Sequence, residues 1–338
     1  MLAIASRGEM RAVRFHHNGG PEVLQVDGVP TPSPKAGEVL VRVEAAGVNY
    51  ADTVRRWGDH YPLPTPLPFI AGGEIVGVVE EVGADVDVQL VGRRVFGAPP
   101  AGGYAEYCTV PIGSVFNFPE GLDPVHGVAL FIQGLSAALI LRESGRFQPG
   151  NNVFVEGAAG GVGSVAVQLA KLYGAKTVIG AASSQAKRDR ILSLGADAAI
   201  DYTRPGWSKA VLDRTEGRGV DIVMEMVGGE VFCEAMNCLG PGGRVVVYGI
   251  ASRNPFQVPT ERLISQGHGV IGFYLGLYLP SRDLIEANLK EMADFASSGR
   301  LKIDIGGVFS LEDAADAHRR LEARASSGKL VLVPDHNR

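Results

Sequence analysis

Val153-Phe154-Val155, followed by Gly157-Ala158-Ala159-Gly160-Gly161-Val162-Gly163, is a short apolar run that breaks into glycine. Beyond it Val162, Val165, Ala166, Leu169 and Ala170 are spaced as one apolar helical stripe. Gly174 stands where a left-handed C-terminal residue belongs, and Thr177-Val178-Ile179 is β-prone again. Strand, glycine-rich turn, helix and strand form a unit that lays a dinucleotide pyrophosphate on a helix N-terminus. The loop fits G-x-G-x-x-G with alanine in place of the first glycine. Within Ala159-Gly160-Gly161-Val162-Gly163, Gly160 and Gly161 let the backbone approach the pyrophosphate, and Gly163 lets helix and strand pack closely.

Outward from this unit, strands alternate with helical patterns from about residue 132 to 279. The runs are Val153 to Val155, Thr177 to Ala182, Ala199-Ile200, Asp221 to Met226, Arg244 to Tyr248 and Val270 to Phe273. They predict an α/β fold with a doubly wound, six-stranded parallel sheet of the Rossmann type. Residues 10 to about 130 read differently. Val39, Val41 and Val43 alternate with polar or larger residues, and Ile75 to Val82 is another β-prone run, which suggests a β-rich, partly barrel-like domain. Pro62, Pro64, Pro66 and Pro68 mark a surface loop. The tail reads as a helix from Ser281 to Ser297, a strand from Leu301 to Val308, a helix capped by Ser310, and a strand from Lys329 to Val333. With six strands already in the sheet, the tail is expected to return to the first domain. The expected division is therefore 1–131 with 280–338, and 132–279.

Composition narrows the classes of function. In 338 residues, 46% are hydrophobic and 20% charged, the net charge is −5, and no apolar run near 18 residues or basic leader stands out. The expectation is a soluble, cytoplasmic protein with no membrane partner. No Lys/Arg-rich run supplies the footprint of a nucleic-acid binder. Cys108, Cys233 and Cys238 are too few and too scattered for a disulfide framework or a four-ligand metal site.

The second strand bears on the choice of cofactor. Where an NAD site places a carboxylate on the ribose, this sequence has Ala181-Ala182-Ser183-Ser184-Gln185-Ala186-Lys187-Arg188. Hydroxyls and cations can bind a 2'-phosphate that a carboxylate would repel. NADPH is the expected cofactor, with Ser183, Ser184, Lys187 or Arg188, and Tyr202 as candidate contacts.

The order of a β-rich domain, Gly47-Val48-Asn49-Tyr50-Ala51-Asp52, Gly72-Gly73-Glu74 and the glycine loop resembles the medium-chain dehydrogenase/reductase superfamily over nearly the whole chain. Zinc-dependent members carry cysteine and histidine where this chain has Asn49 and Gly73, so no metal is expected. A catalytic zinc needs three strong ligands, and two positions are lost. Further matches are Gly102-Gly103-Tyr104-Ala105-Glu106-Tyr107, Gln133-Gly134-Leu135-Ser136-Ala137, Asp201-Tyr202, Val227-Gly228-Gly229 and Tyr248-Gly249. They make the chain most similar to the zinc-free quinone oxidoreductase branch, which includes zeta-crystallin. The resemblance implies a GroES-like catalytic domain beside the NADPH-binding one. It places Asn49 toward the nicotinamide, Gln133 and Ser136 beside its ribose, and Val227, Tyr248, Gly249, Phe273, Tyr274 and Lys329 around the cofactor. One departure is Val54, where several quinone reductases have tyrosine.

Without a Lewis acid, hydride goes more easily to a conjugated acceptor, whose oxyanion a few hydrogen-bond donors stabilise. The expected activity is metal-free reduction of quinones or α,β-unsaturated carbonyls. Asn49 is the candidate amide donor, and Tyr50 or Tyr61 the candidate hydroxyl donor. Asp52 reads as a helix cap. An enoyl-thioester reductase is the alternative, with Arg55 and Arg56 available for a phosphorylated arm, and a low-turnover, crystallin-like NADPH binder is a second. A homodimer through the edge strand Val270 to Phe273 is expected, because an apolar sheet edge needs cover.

Overall fold

The structure, a computed structural model, describes residues 8–258 and 260–336. The chain forms two compact units. One comprises the residues through Ile132, Leu279–Ala293 and the chain from Ile305; the other comprises Gln133–Tyr278 and Asp294–Asp304.

In the second unit, six parallel strands lie in the order Ala198–Ile200, Thr177–Ala181, Asn152–Val155, Val220–Glu225, Leu239–Val247 and Gly269–Gly272. The order reverses direction after the strand Asn152–Val155, the switch point that defines a doubly wound sheet. Val153, Phe154 and Val155 are fully buried, as a central parallel strand covered on both faces requires. Phe154, Ile179, Val223 and Val245 belong to one apolar cluster with Trp207 and Phe232. Residues 294–304 cluster here, whereas the sequence expectation put all of 280–338 with the first domain. Polar contacts explain the difference: the Gln168 side chain accepts from Lys302 N at 2.8 Å and donates to Lys302 O at 3.0 Å, and Arg190 pairs with Asp304 at 2.8 Å.

The first unit is built on the eleven-residue strand Glu38–Val48. Ile75–Val82, Tyr107–Pro111 and Lys329–Leu332 all pair with it in antiparallel fashion. Register shifts after Leu40 and Val43 let so long a strand bend, which is what a partly closed sheet needs. A smaller sheet joins Gln25–Pro30, Glu9–Phe15 and Phe69–Ile70. The last helix begins at Ala314, so Ser310 is not its N-cap; Ser310 Oγ instead donates to Asp313 Oδ2 at 2.7 Å.

The reading that no apolar run approaches 18 residues is corrected. Among the described residues the helix Pro124–Ser144 is long and apolar enough to cross a membrane by length and composition, and 78% of its apolar window is buried inside the protein. It contains two π-helical turns, Leu130–Gly134 and Ile140–Ser144, of the kind that often marks functional positions.

Candidate functional site

In the first unit the strand Glu38–Val48 ends one residue before Asn49, which opens the helix Tyr50–Trp57. Asn49 N donates to Asp52 Oδ2 at 2.9 Å, the reciprocal half of a capping box. Leu330 lies opposite Val48, and Ile75 opposite Ala46, so the pairing delivers Lys329 and Glu74 to the same end of the strand. There Lys329 Nζ donates to Glu74 Oε2 at 2.5 Å and to Asn49 Oδ1 at 2.9 Å, while Asn49 Nδ2 donates to Glu74 Oε2 at 2.8 Å. Both charged side chains are essentially without solvent. Glu74 Oε1 accepts from Ile132 N at 2.6 Å, within the first π-helical turn, so neither carboxylate oxygen is left bare. A Cβ on Gly47 would overlap Glu74 Oε2 and lie 2.7 Å from Lys329 Cε, which makes glycine a condition for this approach.

Asn49, the candidate amide donor, is already engaged in this arrangement. Asn49 Nδ2 also donates to Gly47 O at 3.3 Å, so its two hydrogens already have acceptors, the second of them distant. Tyr61 lies against the Arg55 guanidinium, 5.1 Å from ring to cation, in the proline-rich loop. Tyr50 is half-buried at the helix start.

A buried chain that sequence reading missed stands behind Asp52. Arg56 donates to His318 Nδ1 at 2.9 Å, which leaves the proton on Nε2. Nε2 donates to Tyr104 Oη at 3.3 Å, and Tyr104 Oη donates to Asp52 Oδ2 at 2.9 Å. Burial, then the Arg56 cation, pushes His318 down to about 3; burial raises Asp52 to about 6 against the bonds from Asn49 and Tyr104. His318 is thus neutral and Asp52 mostly ionised near neutrality.

In the second unit, Gly160 opens the helix Gly161–Leu172 with extended backbone and no side-chain cap, so the first N–H groups of that helix have no carbonyl partner within it. A Cβ on Gly161 would overlap the Gln133 amide, and one on Gly163 would meet Gly157 O at 2.5 Å and Ala158 Cα at 2.6 Å. Gln133 Oε1 is buried with no hydrogen-bond partner among the described residues. A glycine cradle, an exposed helix N-terminus and an orphaned acceptor fit a nucleotide carrying phosphates and ribose hydroxyls. Ala159 and Val227 are buried here, Val162 is half-buried, and Ser136 is buried on the helix that carries Gln133.

At the end of the second strand Ser183 and Ser184 are exposed; Ser184 caps the helix Gln185–Ser193 by accepting from Lys187 N at 3.4 Å. Arg188 is tied back to Asp201 at 3.2 Å and to Ala182 O at 3.1 Å. Tyr202 and Lys187 are half-buried nearby in sequence and fold. Tyr248 N donates to Glu225 O at 3.0 Å, and Gly249 is half-buried beside it. Phe273 stacks on Tyr278 at 5.4 Å, next to Tyr274. Among the described residues no cluster of three or more His, Cys, Asp or Glu side chains could hold a metal ion. Gly73 has room for a larger side chain, since a Cβ there would meet nothing nearer than Pro99 O at 3.6 Å.

Comparison with known proteins agrees with this architecture. Residues 35–120 match the alcohol dehydrogenase GroES-like domain, and 161–297 match the family described as zinc-binding dehydrogenase. A quinone oxidoreductase of Sus scrofa is 33% identical over 327 residues, covering 96% of this chain and 98% of the relative. A 2-haloacrylate reductase of a Burkholderia species is also 33% identical, over 96% and 98%. The crystal structure of Escherichia coli quinone oxidoreductase complexed with NADPH superimposes with a TM-score of 0.90 at 30% identity, covering 96% of this chain and all of that one. On fold, motifs and full-length similarity together, the chain belongs to the quinone oxidoreductase branch of the medium-chain dehydrogenase/reductase superfamily.

Proposed function

We propose that this protein is an NADPH-dependent reductase that delivers hydride to a quinone or an α,β-unsaturated carbonyl without a metal ion. The observation that carries the reading is the Asn49–Glu74–Lys329 triad. Where the zinc-dependent relatives expose metal ligands, an ammonium here already holds the Glu74 carboxylate and the Asn49 carbonyl. Removing that ammonium with nothing in its place would leave a buried carboxylate without its cation, which costs about 3–5 kcal/mol.

Gln133, Ser136 and the turn Ala159 to Gly163 would hold the nicotinamide half and pyrophosphate of NADPH. Ser183, Ser184, Lys187 and Tyr202 would hold its 2'-phosphate end, with Val227, Tyr248, Gly249, Phe273 and Tyr274 completing the contacts. Bound there, the cofactor supplies hydride. For the oxyanion that hydride addition leaves on the acceptor, Asn49 Nδ2 is the donor, exchanging its long bond to Gly47 O for the incoming oxygen; Tyr50 is the candidate proton source. Lys329 holds the oxygen of that amide and Glu74 its other hydrogen, while Asp52 anchors the backbone N–H of the same residue. The first unit is thus assigned the chemistry and the second the cofactor.

Substrate class follows from two arginines. Arg55 donates to Pro64 O, Pro100 O and Thr65 Oγ1, and Arg56 is buried against His318 and Glu322. Both are committed within the fold, which favours a small uncharged acceptor over a phosphorylated thioester arm. The deciding experiment assays NADPH oxidation with quinones, enones and enoyl thioesters, with and without EDTA. Turnover of the first two, unchanged by chelation, is expected. A thioester preference or loss of activity on chelation would overturn the reading.

A further inference from the structure

Two carboxyl side chains of the second unit have no place in the chemistry above. Glu156 follows the strand that leads into the glycine turn, and Glu225 ends its parallel neighbour. The register sets Met224 opposite Val155, so the next pair is Glu225 opposite Glu156. Neither is exposed to solvent, and the two carboxyls are close enough to act on one another. Like charges directly opposite on a sheet repel, and no ion pair with a cation relieves them among the described residues. A proton held between the two carboxyls would relieve that repulsion.

The remaining oxygens show what the pair does. Glu156 Oε2 accepts from Met226 N at 3.1 Å and Val227 N at 3.3 Å, while Glu225 Oε1 accepts from Gly228 N. Glu156 Oε1 and Glu225 Oε2 receive no hydrogen bond from a protein donor, so the oxygens left for the mutual contact are these two. The turn they hold also anchors a third loop, since Ala251 N donates to Met226 O and Ser252 N to Val227 O, both at 2.8 Å. Across the gap a Cβ on Gly157 would lie 3.2 Å from Met226 Sδ, so the glycine turn and the Met226–Gly229 turn touch.

We propose that Glu156 and Glu225 are positioning residues that work as a single acid: one shared proton clasps the glycine turn to the Met226–Gly229 turn and holds both at the spacing NADPH needs. The inference rests on the reading that these turns carry NADPH. Burial and mutual repulsion hold the proton on the pair well above the ordinary carboxylate range. The titratable groups facing the pair are the Tyr248 phenol and the Cys238 thiol. Burial pushes both upward, helped by Glu156 and Glu225 at Tyr248 and by Glu156 and Glu234 at Cys238, so they stay neutral. The proton raises the folded-state value above the usual 4.5, so its stabilisation is full below that value and is lost as pH rises through the raised one. When it leaves for solvent, two carboxylates face each other and the turn is driven open.

The test uses Glu156→Gln, whose amide oxygen can keep the Met226 and Val227 bonds while its N–H donates to Glu225 as the proton does. On cofactor-free protein at neutral pH, infrared difference spectra should show a protonated-carboxyl C=O band in the wild type that disappears on alkalinisation and is missing from the variant. In fluorescence titrations, wild-type NADPH affinity should fall roughly tenfold per pH unit above the midpoint of that band, and E156Q should stay flat. A merely structural role would lower the melting temperature with the pH profile unchanged. Absence of the band, or matching affinity profiles, overturns the proposal. If E156Q does not fold, E225Q replaces it. Should the wild type bind no NADPH at any pH, the functional reading fails, and the clasp with it as a cofactor device, even where the band shows a shared proton.

Discussion

Lys187 and Arg188 are adjacent in sequence, and their positions at the helix start distinguish them as phosphate contacts. Arg188 is held by Asp201, Ala182 O and Gln185, so recruiting it to a phosphate would break an ion pair. Lys187 sits in the first turn of its helix, directly over the exposed Ser184 cap, where a 2'-phosphate also gains from the helix dipole. A charge-assisted bond contributes about 1.5–3 kcal/mol, so Lys187→Ala should raise the NADPH dissociation constant about tenfold or more and leave NADH nearly unaffected. Parallel fluorescence titrations check this, and equal losses for the two cofactors would place the phosphate elsewhere. At this scale the sequence was readable where partners are close along the chain. Asp52 is recognisable as a cap because it lies three residues from Asn49. The Arg56–His318 bond spans 262 residues and the Tyr104–His318 bond 214, and no local pattern announces them. Glu156 and Glu225 carried no signal either, since a polar residue ending a strand ordinarily reaches water.

Glycine shows how one residue type does different work within a single element. A Cβ on Gly161 would collide with the far end of the Gln133 side chain, which can swing away, whereas a Cβ on Gly163 would collide with backbone at Gly157 and Ala158. Gly161→Ala should therefore fold with a melting temperature close to wild type and lose cofactor affinity, because both Gln133 and the pyrophosphate approach are disturbed. Gly163→Ala should push the helix off the sheet and cost about 1–3 kcal/mol of stability. Denaturant titration of the two variants separates the roles; equal destabilisation would contradict the assignment. Five strands of this unit were legible to within one residue at each end because buried parallel strands are continuous apolar runs bounded by glycine, whereas Leu239–Val247 begins five residues before the run read from Arg244. Irregular elements were not. The helix after Ser310 begins later than its capping pattern suggested, since Ser310 found a nearer acceptor in Asp313, and the π-helical turn at Gln133 leaves no mark in a periodicity of 3.6.

For the molecule as a whole, the doubly wound sheet, the β-rich partner unit and the return of the C-terminal strand were readable, whereas the allegiance of residues 294–304 depended on side-chain contacts to Gln168 and Arg190 that pairing rules do not encode. The sheet also ends in an open edge. Gly269–Gly272 pairs on one side only, with Leu239–Val247; Val270 and Ile271 are half-buried, and Ile264 on the preceding helix is 82% exposed. An unpaired, apolar strand offers a row of backbone donors and acceptors to another chain unless charge or cover blocks it. A two-fold axis beside the strand would pair it with its own copy and bury these side chains in one closed interface. Light scattering should then give a dimer whose melting temperature rises with protein concentration, because association stabilises the folded state by mass action. Ile271→Lys should shift the mass to that of a monomer while NADPH affinity changes little, since charge on an edge strand opposes pairing without touching the cofactor turns. A wild-type monomer at all concentrations, or a dimer unaffected by the lysine, would move the interface to another face.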